Sequence, residues 1–158
     1  SSVAAQARLP RVIRHYLIVE NETIASVSVV VQLFHKEACM SEINDLIGTP
    51  FEQLPCWELV REYYRRQGID IPEYYDIEHS DMDNVNGYTK LSEPEVGSIC
   101  VYSLNGHDLD HVGIYLGDNQ LLHSTAFSGV CIERYSKFIP RLKGVYRYGS
   151  RNNHHQSV

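Results

Sequence analysis

Between residues 97 and 148, short runs of β-branched and aromatic residues alternate with turn-formers so closely that little but an antiparallel meander can result. The predicted strands cover residues 97–103, 111–116, 120–125, 130–134 and 144–148. Asn105-Gly106, Gly117-Asp118-Asn119 and Ser128-Gly129 lie between them and supply the backbone freedom that tight turns need. Upstream the period changes. Leu59 with Tyr63, and Trp57, Val60 and Tyr64, recur at three- and four-residue spacing, which predicts a helix over 56–67 that Gly68 stops. A shorter helix over 42–47, capped by Ser41 and ended by Gly48, leads through a loop at 49–55. Residues 69–95, polar and interrupted by Pro72 and Pro94, read as a long surface or functional connection. Helices first and strands afterwards make an α+β plan, helices packed on a small antiparallel sheet.

The 158 residues are expected to divide into an extension (1–39), a main domain (40–150) and a disordered Asn- and His-rich tail (151–158). Within the extension, 11–19 and 24–34 flank the polar turn Glu20-Asn21-Glu22-Thr23, a hairpin signal without evident chemistry. The extension carries four Lys/Arg and three Asp/Glu, the remainder ten and seventeen. A main body at −7 argues against nucleic acid, which needs clustered positive charge. No apolar run approaches the roughly 18 residues of a membrane helix. No secretory signal is expected, and Met40-Ser41-Glu42 would make a domain start. The cysteines (Cys39, Cys56, Cys100, Cys131) lack CxxC spacing and form no evident disulfide framework or metal site. Cys100 and Cys131 read as small apolar residues in buried strands.

Three residues stand out chemically. Cys56 lies where a loop feeds a helix, so the positive helix end would lower its pKa and leave its own N–H free for an oxyanion. Pro55 suits that helix start, since its missing N–H would have no partner there. A Cys in such a position is more often plain core, and a lone strand His more often a satisfied packing residue. Together, however, Cys56, His111 and His123 follow the order nucleophile, base, orienter. The pair works only if both imidazoles share a face. A two-residue turn after Gly117 would set His111 opposite Ala126 and turn His123 away. A three-residue loop, Gly117-Asp118-Asn119, would pair Leu116 with Gln120, set His111 opposite Thr125 and bring the histidines together. The odd-length loop is the expectation, with positive φ at Gly117 or Asn119.

Gly48-Thr49-Pro50-Phe51, Cys56-Trp57-Glu58-Leu59-Val60, Glu95-Val96-Gly97-Ser98-Ile99-Cys100-Val101-Tyr102, and Asp110-His111-Val112-Gly113-Ile114-Tyr115-Leu116-Gly117-Asp118 followed by His123 resemble the motif succession of NlpC/P60 cysteine peptidases over residues 46–148. The resemblance implies a papain-like α+β fold with Cys56 as nucleophile, His111 as general base and His123 as its orienting group. It further implies hydrolysis of peptidoglycan stem peptides, at γ-D-glutamyl-diamino acid or a related amide, with no cofactor and no metal. The form Cys-Trp-x-Leu-Val-Arg at 56–61 is similar to tail-tip proteins of lambda-like phages, which implies a virion tail location, with the cell envelope or secretion as the alternative. It also implies that residues 1–39 contact other tail proteins. Phe51 replaces the usual Tyr, Pro55 the usual Asp, and the loop 52–55 is short; an inactive structural tail protein is the alternative. His107-x-x-x-His111 falls in a turn and lacks a third metal ligand. Tyr63 and Tyr64 are expected to be buried packing, Tyr74 and Tyr75 stay open between packing and cleft, and Ser124 is a strand polar residue.

Overall fold

The computed structural model describes residues 41–72 and 87–149. The expected hairpin in the extension, the tail beyond 150, and Tyr74 and Tyr75 lie outside them.

Among the described residues, the regular helix α1 (Cys56–Arg65) precedes six strands. These are β1 (Tyr88–Lys90), β2 (Ile99–Tyr102), β3 (His111–Gly117), β4 (Gln120–Thr125), β5 (Gly129–Arg134) and β6 (Leu142–Tyr148). They form one antiparallel sheet in the order β1-β6-β2-β3-β4-β5. The α+β plan therefore holds. β1 was hidden in the predicted connection 69–95, because three residues give no readable period. The expected helix over 42–47 is helical only at 41–43 and continues as turns to Gly48.

Alternation along the central strands sorts the core. Cys100, Tyr102, Leu121 and Val145 share one face, where Tyr115, Tyr135 and Phe138 pack against them. Tyr135 and Phe138 come from the two 3₁₀ turns between β5 and β6, Tyr135–Lys137 and Ile139–Arg141, and the Phe138 that joins them. Ile99, Val101, Val112, Ile114 and Leu122 occupy the other face, all 4% exposed or less. Over that face lies α1, contributing Leu59, Val60 and, as expected, buried Tyr63 and Tyr64.

α1 ends as its sequence requires. Gly68 takes φ +79°, the Ile69 N–H reaches the Tyr64 carbonyl and the Gly68 N–H the Arg65 carbonyl, the paired bonds of a Schellman stop. The Trp57 indole donates to the Pro72 carbonyl at 3.1 Å and Arg61 Nε to the Ile71 carbonyl at 3.0 Å, fixing the chain that leaves the helix.

Candidate active site

The β3–β4 hairpin decides whether two histidines twelve residues apart can meet. Gly117 pairs with Gln120 across a two-residue turn in which Asp118 and Asn119 have φ of +47° and +59°. The expected three-residue loop is therefore not formed. A bulge between Tyr115 and Gly117, with Gly117 at φ +84°, advances the register by one residue. Beyond it Tyr115 faces Leu121, Ile114 faces Leu122 and Gly113 faces His123. The anticipated register is thus reached by another route: positive φ at both turn residues matches strand twist, and the bulge restores parity.

Gly113 stands directly across from His123, and His111, two residues earlier, shares its face. A Cβ at Gly113 would lie 2.8 Å from Leu121 Cδ1 and 3.0 Å from the Leu122 carbonyl oxygen. The bare glycine leaves that space open, and His123 reaches diagonally so that its Nδ1 lies 2.8 Å from His111 Nε2. On its far side, His123 Nε2 lies 2.8 Å from Glu133 Oε2, whose other oxygen accepts from Lys137 Nζ at 2.6 Å. Tyr102 and Phe138 wall the pair: the Phe138 ring stands edge-on to His123, centroids 5.1 Å apart, and Tyr102 lies 6.1 Å from His111. His123 is 1% exposed and His111 7%.

Electrostatics settle the proton positions. Lys137, and next His123, hold the Glu133 carboxyl below its usual range, so it is an acceptor at neutral pH. Burial pushes His111 down to about 4, helped by His123, against the pull of Asp110 and Glu133. Burial likewise lowers His123, although Glu133 opposes it. Both rings are therefore neutral near pH 7. A neutral His123 facing an ionised Glu133 carries its proton on Nε2 and presents Nδ1 as acceptor. His111 must then donate from Nε2, which leaves its Nδ1 lone pair unprotonated. Glu133 thus fixes both tautomers.

Cys56 opens α1. Pro55, φ −58° and ψ 165°, occupies the cap position and offers no side-chain cap bond. The Cys56 and Trp57 N–H groups, with that of Val112, are directed at the half-buried sulfur. Val112 is available because β3–β4 pairing ends at Gly113–His123. Burial nevertheless raises the thiol above its ordinary value, the three N–H groups only partly offset it, and the Asp110 charge adds to the rise. The helix-end effect expected from the sequence is thus present but outweighed. Asp110 itself accepts from the Leu104 and Asn105 N–H groups at 2.7 and 2.9 Å, closing the loop that leads into β3.

The fold thus unites His111 with His123 and brings Cys56 to the same end of β3. Among the described residues, the His111 ring bonds to His123 and no hydrogen bond joins it to the Cys56 sulfur. Such contacts commonly tighten only when substrate binds. Glu133 was missed by sequence reasoning. Its signal was the alternation Cys131, Glu133 after the Ser128-Gly129 turn, which puts both on the His123 face. Cys100 is buried as expected, whereas Cys131, directly opposite His123, is only half-buried because β5 is the sheet's edge.

Two histidines with folded pKa values below the unfolded value of roughly 6.5 bind protons more readily in the unfolded chain. Stability is therefore expected to fall as pH drops from roughly 6.5 towards 4, by up to about 3 kcal/mol for His111. Urea midpoints measured across that range check it, and His111→Asn should flatten the slope.

A family model described as NlpC/P60 matches residues 46–149. Among solved structures, the NlpC/p60 domain of the peptidoglycan hydrolase SagA superposes with a TM-score of 0.50 at 20% identity, covering 71% of this chain and 97% of that one. The peptidoglycan hydrolase RipB of Mycobacterium tuberculosis gives 0.52 at 18% identity, covering 94% and 83%. A lipoprotein-like NLP/P60 protein of Staphylococcus aureus gives 0.49 at 23% identity over 73% of this chain; only 41% of that longer chain is spanned. No curated protein matches the sequence. With the family model matching about two-thirds of the residues, from the turn before Pro50 through β6, and solved members sharing the fold, this chain belongs to the NlpC/P60 family.

Proposed function

We propose that the protein is a cysteine endopeptidase that hydrolyses peptidoglycan stem peptides at the γ-D-glutamyl-diamino acid bond or a related amide. The observation that carries this reading is the relay His111–His123–Glu133, whose tautomers leave His111 Nδ1 as a base at the end of β3 where Cys56 is placed. With a neutral thiol and a neutral imidazole at rest, the sulfur would lose its proton to His111 as it attacks the substrate carbonyl. N–H groups at the mouth of α1 would take the oxyanion, and the resulting imidazolium would protonate the leaving amine. Water, activated by the same His111, would then cleave the thioester. The proposal includes a place in a phage tail tip, supported by the Cys56-Trp57-Glu58-Leu59-Val60-Arg61 form, with residues 1–39 as the segment that contacts neighbouring tail proteins.

The deciding experiment incubates the chain with L-Ala-γ-D-Glu-diaminopimelate fragments and identifies products by mass spectrometry. A cut after γ-D-Glu is expected. No cleavage by a folded protein would sink the peptidase reading and favour a structural tail role. That second reading draws on the raised thiol pKa and the missing thiol–imidazole hydrogen bond.

Glu133 is here a positioning residue. In Glu133→Gln the amide N–H can face His123 Nε2 and reverse both tautomers. The kcat is expected to fall by about 10–100-fold, in the manner of lost outer-shell partners, with little change in KM. Glu133→Asp should recover part of the loss, whereas a purely structural role would move Tm without splitting kcat from KM.

A further inference from the structure

Cys131 takes no part in the reading above, yet it stands directly across from His123 in the β4–β5 ladder, beside Glu133. The His123 ring nitrogen, the Cys131 sulfur and a Glu133 carboxylate oxygen all lie within 4.8 Å of one another. We propose that these three side chains form a binding site for a thiophilic divalent transition metal, of which Zn²⁺ is the type, on the outer side of the histidine pair.

The donor set is of the kind zinc favours: imidazole nitrogen, thiolate and carboxylate, leaving a fourth tetrahedral position for water. Zinc bonds of about 2.0–2.3 Å put donors roughly 3.3–3.7 Å apart, so His123 Nε2 and Glu133 Oε2, now 2.8 Å apart, need open by only roughly half an ångström while the widest separation in the cluster closes by about 1 Å. Side chains on paired neighbouring strands can do this without moving backbone. Thiolate and carboxylate together would neutralise the dication, as a half-buried site requires. Access is from the surface. Glu133 and Lys137 line a hollow together with Gln120, Ile132 and Ser136, and the side chain of Glu133 is 32% exposed. Lys137, which now bonds Glu133, is 62% exposed and free to swing into solvent. Its charge weakens the site and sets it apart from a permanent structural centre.

Occupancy would have a definite consequence, which rests on the peptidase reading. The metal takes the His123 Nε2 lone pair, and the Cys131 thiol proton leaves to solvent. The remaining His123 proton must sit on Nδ1, facing His111 Nε2. His111 then accepts at Nε2 and carries its own proton on Nδ1, the tautomer that cannot deprotonate Cys56. A metal on the far side of the relay would silence the thiol without touching it.

The site can be tested apart from activity. Full-length Cys56→Ser, which removes the half-buried thiol at the mouth of α1, is titrated with Co²⁺. One ion per chain with near-ultraviolet thiolate-to-cobalt absorption is expected, and Cys131→Ser added to that background should abolish the band. Absence of the band in Cys56→Ser, or its survival without Cys131, would overturn the site. In protein with Cys56 intact, Zn²⁺ is expected to inhibit peptide cleavage, and Cys131→Ser should raise the half-inhibiting concentration at least about tenfold, since a hydroxyl is a far weaker zinc ligand than a thiolate. An unchanged value would overturn the regulatory consequence while leaving the cobalt result to judge the site. If the protein cleaves no peptide at all, the cobalt titration still decides.

Discussion

Cys56→Ala is expected to reduce stem-peptide cleavage by at least about 10⁴-fold, to background, while the protein stays folded. The size of the loss follows from the chemistry: without the sulfur no thioester can form, and the N–H groups at the mouth of α1 would polarise a carbonyl that nothing attacks. The change should cost little stability. Cys56 is half-buried, its sulfur is held by N–H groups that water can satisfy, and alanine suits a helix start better than most residues. Mass-spectrometric product counts together with a melting curve check both halves. Cleavage by Cys56→Ala at the wild-type rate would remove Cys56 from the mechanism. His111→Gln should lower kcat by about 10²–10⁴-fold, the usual worth of a general base, and leave the thiol available to alkylation. Because burial holds the Cys56 thiol above its ordinary value and His111 is neutral, alkylation of the resting protein should be slow at neutral pH and accelerate as pH rises. A preformed thiolate–imidazolium pair would instead react fast well below pH 7, so the same measurement separates a thiol deprotonated during attack from one ionised beforehand.

What the sequence disclosed, and what it withheld, follows from how local each determinant is. The helix Cys56–Arg65 was readable, though predicted to run on to 67, because Leu59, Val60, Tyr63 and Tyr64 mark one face and Gly68 its stop, all within one stretch of chain. β3, β4 and β5 were readable because their turns are written in Asp118-Asn119 and Ser128-Gly129. The bulge at Gly117 was not, since a register shift depends on two strands at once and a glycine beside a turn looks like part of the turn. His111 and His123 could be singled out as residues whose side chains must meet. Glu133 could not, because its role depends on β5 lying against β4 at one register and on Lys137 returning from a 3₁₀ turn. The thiol's raised pKa was equally hidden. The helix mouth is visible in a sequence; the burial that outweighs it is not.

Gly129→Ala is expected to be the most destabilising single substitution of a small residue near the site, costing about 2–5 kcal/mol from overpacking and backbone strain combined. Gly129 has φ +65°, and a Cβ there would come 2.3 Å from the Thr49 carbonyl oxygen and 3.2 Å from Pro50 Cα. Both are backbone atoms, so no side chain can move aside. The contact is close because the Gly48 N–H donates to the Val130 carbonyl at 2.8 Å and the Val130 N–H to the Thr49 carbonyl at 2.9 Å, pinning residues 48–50 to the start of β5. That pin is the entry to the loop 51–55, which delivers Cys56 to the end of β3. Alanine must therefore either force the turn at Gly129 out of shape or release the loop. Release would let Pro55 and the first turn of α1 drift, and a displacement of about 1 Å at a nucleophile can cost about 10²-fold in rate. Gly129→Ala should thus lower Tm and, at temperatures where it stays folded, lower kcat through Cys56 placement. Gly106→Ala is the control: it shares the positive φ, +82°, but a Cβ there meets nothing within 4 Å, so only the backbone strain of about 1–2 kcal/mol should appear. Equal losses in the two variants would show that strain alone acts at Gly129, and that the tie between residues 48–50 and β5 does not set the position of the thiol.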